Sequence, residues 1–189
     1  MKRLVALTVF LVTAVAVAGG NVIRVSGPQF SFLIAEPEDW MLDVESAAQI
    51  AHVALYKKGA DWRTTDLVIF GRFIPRSSSE TVEDFLKADE EKFLAQCPFA
   101  DTEDIKLPVE GPHPFVIKSY ACPGIETQVV AVSRLSSHFV LFVLTAQHGG
   151  SPDPGLEPFT EVLNSFRWLG GARSLQTPDL KPVPPGKSH

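Results

Sequence analysis

The sequence predicts an α+β fold in which a mostly antiparallel sheet of about six or seven strands carries helices packed on both faces. Two segments, residues 66–74 and 138–146, are apolar on both of their alternating sets of positions, which is typical of central strands covered on each side. Two other segments, residues 81–96 and 154–165, repeat their apolar residues at helical spacing. An α/β/α sandwich accommodates both kinds of segment, because a helix on each face covers the sheet.

The clearer helix covers residues 81–96. Its apolar face is predicted from five side chains: Val82, Phe85, Leu86, Phe93 and Leu94. Thr81 and the serines before it suit the N-cap, and Pro98 ends the helix. The second helix, residues 154–165, has an apolar stripe of four side chains: Leu156, Phe159, Leu163 and Phe166.

Strands are predicted around and between these helices. The segments are residues 22–25, 29–35, 51–56, 66–74, 114–121, 127–135 and 138–146. Hairpin turns are expected at Pro123-Gly124 and at Ser136-Ser137, where turn-forming residues separate consecutive strands. Such short connections make neighbouring strands antiparallel.

Residues 1–18 have the pattern of a cleavable secretory signal peptide. Lys2 and Arg3 precede the uncharged apolar run of residues 4–17, and Ala16-Val17-Ala18 fits the small-x-small pattern that a signal peptidase reads. An uncleaved membrane anchor is the alternative, but a spanning helix needs roughly 20 apolar residues and this run is shorter. We therefore expect an exported protein, periplasmic or secreted, with no stable membrane insertion after cleavage.

Residues 19–169 are expected to form a single domain. Removing residues 1–18 leaves 15 basic and 22 acidic residues, a net charge of −7. Nucleic acids and anionic lipids attract patches of Lys and Arg, so a chain this acidic is a poor general binder of either. Residues 170–189 contain four prolines and few large apolar side chains, which predicts a disordered tail. A polyproline ligand at Lys181-Pro182-Val183-Pro184-Pro185 is the alternative for this segment.

The two cysteines, Cys97 and Cys122, predict a disulfide. Each lies immediately before a proline, one at the end of the long helix and the other at the end of a strand, and the expected compartment is oxidising. A bridge would tie the helix end to the sheet edge. Two buried free thiols are the alternative, and the pair is not a C-x-x-C redox motif.

The order of elements, with two short motifs, resembles a known family. A phenylalanine-rich strand leads to Pro37-Glu38-Asp39-Trp40, and the final helix ends in Asn164-Ser165-Phe166. Together with the hairpin, the long helix and three further strands between them, this resembles the Mog1/PsbP-like family over residues 29–168. The resemblance implies an α/β/α sandwich of a kind found in many exported bacterial proteins of unknown function. It implies no single activity, because family members share none.

Recognisable catalytic motifs are absent from the sequence. It contains no G-x-S-x-G, S-x-x-K, H-E-x-x-H, G-x-G-x-x-G or P-loop pattern. The five histidines show no spacing typical of metal ligands, and the acidic residues near Trp40 form no EF-hand loop. We therefore expect no metal site and no cofactor, and we interpret Trp40 as a core residue and the acidic residues around it as solvated surface.

A contact surface is predicted at residues 57–63. Lys57, Lys58 and Arg63 are basic residues in an otherwise acidic chain, and Trp62 lies in the same polar stretch. An exposed aromatic residue beside basic residues is a candidate contact for an acidic partner. A tryptophan folded back onto the sheet is the alternative.

Three functions are compatible with these observations. The first is an exported, non-catalytic binding or assembly module whose partner is a protein or small ligand of the cell envelope. The second is a hydrolytic enzyme with an unrecognised site, which a cleft with Ser or Asp beside a histidine would support. The third is a carrier of a small apolar ligand between helix and sheet, which a large apolar pocket would support.

Overall fold

A computed structural model of the chain describes residues 11–17, 20–27, 30–45, 48, 51–61 and 64–170. These residues form eleven strands and two helices. The strands are β1 (Leu11–Val17), β2 (Gly20–Gly27), β3 (Phe30–Glu36), β4 (Trp40–Asp43), β5 (Val53–Lys57), β6 (Leu67–Pro75), β7 (Asp101–Asp104), β8 (Val116–Cys122), β9 (Glu126–Arg134), β10 (His138–Gln147) and β11 (Arg167–Gly170). The helices are α1 (Val82–Gln96) and α2 (Asp153–Ser165).

The strands form two antiparallel sheets. The smaller sheet has the order β1-β2-β3-β11, and the larger has the order β4-β5-β6-β10-β9-β8-β7. The two segments predicted as central strands, β6 and β10, are neighbours in the middle of the larger sheet. The predicted hairpins at Pro123-Gly124 and Ser136-Ser137 join β8 to β9 and β9 to β10. These predictions are confirmed.

Helix α1 packs on one face of the larger sheet. Thr81 is its N-cap, because the Thr81 hydroxyl accepts from the backbone N–H of Asp84 while the Asp84 carboxylate accepts from that of Thr81. The apolar side of α1 contacts β8, β9 and β10, with Phe85 against Phe139 and Phe93 against Tyr120. The predicted helix is confirmed.

The other face of the larger sheet shares one hydrophobic core with α2 and the smaller sheet. The buried side chains of this core include Val25, Phe32 and Ile34 from the smaller sheet, Ile69, Phe142 and Leu144 from the larger sheet, and Phe159, Val162 and Leu163 from α2. Trp40 is buried in the same core, as expected. Gly155 lets α2 approach β10 closely, since an added Cβ would lie 2.7 Å from a methyl carbon of Leu144.

The predicted α/β/α sandwich is therefore wrong. The chain folds mainly as two antiparallel sheets, and there are only two helices among the described residues. The strands predicted at residues 22–25 and 29–35 were expected to belong to the same single sheet as the others. They instead pair with each other and with β11 near the other end of the chain, forming a second sheet that contributes to the core beside α2. Local apolar patterns identify strands but do not determine which strands pair.

The predicted disulfide is present between Cys97 and Cys122, whose Cα atoms are 6.0 Å apart. Both cysteines begin a turn: the N–H of Ala100 donates to the Cys97 carbonyl, and the N–H of Ile125 donates to the Cys122 carbonyl. The bond joins the C-terminal end of α1 to the end of β8, as the sequence suggested.

Much of the predicted signal peptide and nearly all of the predicted tail lie outside the described residues. Residues 11–17 are described, and their backbone forms β1, paired with β2 from Leu11↔Ser26 to Val17↔Gly20. No helix in the described part of the chain is long and apolar enough to cross a membrane. The boundaries at residues 18 and 170 remain predictions.

Candidate binding groove

A surface groove of about 530 Å³ lies between α2 and the segment that precedes β8. Its apolar lining comes from Leu107, Pro108 and Leu156, while its polar lining comes from Glu157, Thr160, Glu161 and Asn164. One wall is thus a helix face and the other is a segment without regular secondary structure. A groove with apolar surface and a few polar groups is typical of a binding site.

Asn164 holds the two walls of the groove together. Its side-chain oxygen accepts from the backbone N–H of Glu110 at 2.6 Å, and its side-chain nitrogen donates to the carbonyl of Pro108 at 3.2 Å. Gly111 follows directly, and an added Cβ there would lie 3.1 Å from the backbone carbonyl oxygens of Leu163 and Asn164. The end of α2 therefore fixes the position of residues 108–111.

The two residues after Asn164 anchor α2 to the rest of the fold. The Ser165 hydroxyl accepts from the N–H of Ala35 at 2.7 Å and donates to the carbonyl of Val162 at 2.9 Å. Phe166 is fully buried in the core. The short Asn-Ser-Phe motif seen in the sequence thus has a structural role at each position, since it connects α2 to the groove wall, to β3 and to the core.

Two carboxylates line this groove, and the charge of a third acts on one of them. Glu157 and Glu161 are one helical turn apart on α2, and Glu38 lies in the turn between β3 and β4. Burial raises the pKa of Glu161 above its ordinary value, and the negative charges of Glu157 and Glu38 raise the pKa further. No Lys or Arg among the described residues forms an ion pair with any of the three. The groove therefore combines apolar surface with uncompensated negative charge.

A second groove, of about 340 Å³, lies beside α1 and differs in its charge balance. There the ammonium group of Lys118 donates to Glu90 at 2.7 Å and lies 3.7 Å from Asp104. Thr102 donates to the same Glu90 carboxylate at 2.7 Å. These hydrogen bonds, first from Lys118 and then from Thr102, lower the pKa of Glu90.

The predicted contact residues are only partly described. Lys57 and Lys58 are exposed, and the ammonium group of Lys58 lies 3.9 Å from a carboxylate oxygen of Glu36 at the end of β3. Trp62 and Arg63 lie outside the described residues. The structure therefore does not test the predicted contact surface, which remains a prediction.

His52 has a structural role in the fold. Nδ1 of His52 accepts from the N–H of Phe73 at 3.1 Å, and the His52 ring packs edge-on against Phe30. Burial, followed by the nearby charges of Arg72 and His138, lowers the pKa of His52.

A serine–histidine contact does occur, at the β9–β10 turn. Ser137 Oγ is 2.8 Å from Nδ1 of its sequence neighbour His138. No hydrogen bond joins the His138 ring to a carboxylate in the part of the chain that the structure describes. No group of three or more His, Cys, Asp or Glu residues in this part could hold a metal ion.

No family model matches the chain, and no curated protein matches its sequence, so the resemblance to the Mog1/PsbP-like family remains a prediction. A solved structure of LpqN from Mycobacterium tuberculosis, a protein involved in cell envelope biogenesis, is similar over 83% of this chain and 91% of that chain. The sequence identity is 16% and the TM-score is 0.44.

Proposed function

We propose that this chain is an exported, non-catalytic binding module, and that the groove beside α2 binds a segment of a partner protein that carries both basic and apolar side chains. The observation that carries this proposal is that Glu157 and Glu161 line an apolar groove, near the charge of Glu38 and without an ion pair to a cation of the described residues. A Lys or Arg side chain of a ligand would relieve the repulsion among these carboxylates. Its apolar neighbours would cover Leu107 and Leu156.

The negative charge at the groove distinguishes this proposal from that of an apolar-ligand carrier. A carrier of a small apolar ligand would leave Glu157 and Glu161 unpaired beside the ligand, and placing an uncompensated charge next to apolar surface is unfavourable. A ligand with a positive charge turns the same carboxylates into favourable contacts.

Binding of a short synthetic peptide that carries Lys and Leu side chains tests the proposal. We expect the double variant Glu157→Gln, Glu161→Gln to bind this peptide several-fold more weakly than the unmodified protein, measured by isothermal titration calorimetry. A peptide with Gln in place of Lys should bind weakly to both proteins.

A matched variant separates the groove from the general acidity of the chain. Glu91→Gln, Glu103→Gln removes the same amount of charge from exposed positions on α1 and β7, and we expect it to bind the peptide as the unmodified protein does. Equal weakening in the two double variants would mean that the peptide responds to net charge only, and the groove would lose its assigned role.

Export itself is tested by the mass of the protein. We propose that residues 1–18 are removed, and we expect the intact mass of protein secreted by a bacterial host to correspond to a chain that begins at or close to Gly19. Full-length chain in the membrane fraction would contradict this part of the proposal.

A further inference from the structure

Strand β2 is an inner strand of the smaller sheet only because β1 pairs with it. The order β1-β2-β3-β11 places β1 at one edge, and every residue of β2 except Gly27 has a partner in β1. All of β1 lies within residues 1–18. If these residues are removed, as the proposed function holds, β2 becomes an edge strand along nearly its whole length.

The remaining contacts of β2 hold it in place without β1. It pairs with β3 from Asn21↔Glu36 to Gly27↔Phe30. Ile23 and Val25 are buried in the core shared with α2, with exposed fractions of 8% and 0%. An ordered edge strand presents a row of free backbone N–H and C=O groups, and β2 contains no proline that would interrupt that row.

The side chains of β2 indicate the kind of strand that would fit. Arg24 lies on the sheet face opposite to Ile23 and Val25 and is exposed. Its Nε donates to the Ser31 hydroxyl at 3.1 Å, while its terminal nitrogens form no ion pair with a carboxylate of the described residues. A strand added along β2 would therefore gain from an acidic residue directly opposite Arg24.

We propose that removal of residues 1–18 opens the β2 edge to an extended segment of a partner protein, which adds as an antiparallel strand with a carboxylate opposite Arg24. Apolar residues of the added strand lie beside Ile23 and Val25 on the inner face. A second copy of this chain fits less well, because β2 contains no acidic residue and self-pairing would bring two Arg24 side chains near each other.

The test uses the full chain with a protease site placed between Ala18 and Gly19, so that the N-terminal segment can be removed whether or not a host cell processes it. The probe is a peptide with the sequence of residues 11–17, flanked by Gly and Ser. In this peptide Thr13, whose backbone pairs with Arg24, is replaced by Glu or by Lys. Binding is measured by fluorescence anisotropy, and protection of the β2 amides by hydrogen exchange.

We expect the cut protein to bind the Glu peptide several-fold more tightly than the Lys peptide, with new protection of the β2 amides. The uncut protein should bind neither. Arg24→Glu should reverse the order of the two peptides, and Arg24→Gln should make their affinities equal while leaving the fold unchanged.

Two results would overturn the proposal. The first is a cut, folded protein that binds neither peptide or binds both equally. The second is a cut protein whose β2 amides become protected as its own concentration rises, which would identify a second copy as the occupant. Retention of residues 1–18 in the secreted protein is a separate result, since it contradicts the proposed cleavage and does not affect binding after the engineered cut.

Discussion

The two helices pack in different hydrophobic clusters, and each carries a partly buried glutamate near a groove. On α1, Glu90 receives hydrogen bonds from Lys118 and Thr102, and its pKa is lowered. On α2, Glu161 is half-buried beside Glu157 and Glu38, and its pKa is raised. The charged form of a glutamate is thus stabilised beside α1 and destabilised beside α2.

This difference indicates which of the two glutamates has a charged partner within the fold. Beside α1, the partly buried Glu90 is paired with Lys118 and Thr102 within the fold. Beside α2, Glu161 is partly buried near the like charges of Glu157 and Glu38, with no ion pair to a cation of the described residues, and this costs folding free energy. Such a cost is typical of a binding site, since the ligand supplies the missing contact. The comparison therefore favours the α2 groove over the α1 groove as the place where a partner binds.

The largest effect on stability is expected from removal of the disulfide at the C-terminal end of α1. We expect Cys97→Ala, Cys122→Ala to lower the free energy of unfolding by about 3–4 kcal/mol, because the bond restricts the unfolded chain over the loop between the two residues. Urea denaturation of the variant and the unmodified protein measures this loss. The control is thiol labelling of the unmodified protein, denatured but not reduced. Two reactive thiols per chain would show that the disulfide does not form.

A smaller and more specific effect is expected from the two glutamates. At neutral pH we expect Glu90→Gln to lower the free energy of unfolding by about 1 kcal/mol, since it loses a charged hydrogen bond to Lys118. Glu161→Gln should raise the free energy of unfolding by about 0.2–0.5 kcal/mol, because the substitution removes repulsion with Glu157 one turn away. Urea denaturation over a range of pH measures both differences.

The pH dependence of these two variants has opposite sign. The contribution of Glu90 is present above its ordinary pKa of 4.5 and is lost as the pH falls through the lowered pKa, so the cost of Glu90→Gln disappears in acid. The favourable contribution of protonated Glu161 is present below its ordinary pKa and is lost as the pH rises through the raised pKa. The increase in the free energy of unfolding caused by Glu161→Gln should therefore appear only as the pH rises. If the effects of the two substitutions on the free energy of unfolding changed with pH in the same direction, the contrast between α1 and α2 would be lost.

The smallest effect on stability is expected from the contact surface predicted at residues 57–63, which is a proposal separate from the groove. We expect Trp62→Ala, Arg63→Ala to leave the thermal midpoint nearly unchanged, because surface substitutions away from packed sites change stability little. The exposed neighbour Lys57 offers a matched control, Lys57→Ala. A readily unfolding double variant would place Trp62 in the core and remove it from any contact surface.

Much of the fold is local in origin and could be predicted. Both helices, the central pair β6 and β10, and the two hairpins follow from apolar spacing and turn residues within short segments. Three strands that were missed, β4, β7 and β11, have four residues each and show no alternating pattern long enough to detect. The fourth, β1, lies within the segment predicted as a signal peptide. The second sheet was missed because its pairing of β3 with β11 depends on contacts between distant segments.

The candidate groove could not be predicted for the same reason. Glu157 and Glu161 are visible in the sequence as a pair one helical turn apart, and that spacing is the signal that was available. Nothing local places residues 107–110 against them, since this depends on the hydrogen bonds of Asn164 to a segment more than 50 residues earlier. The sequence instead predicted a contact surface at residues 57–63.

The pairing of β3 with β11 also has a consequence for the order in which the protein can assemble. Phe32 pairs with Trp168 and Leu33 with Arg167, so a strand made early in synthesis meets its neighbour only after almost the whole domain has been made. Contacts this distant in sequence slow folding, because a long loop must close before they form. A chain that crosses a membrane with its N-terminus first would therefore wait with one edge of β3 unpaired, and would close its smaller sheet only when the last strand has followed.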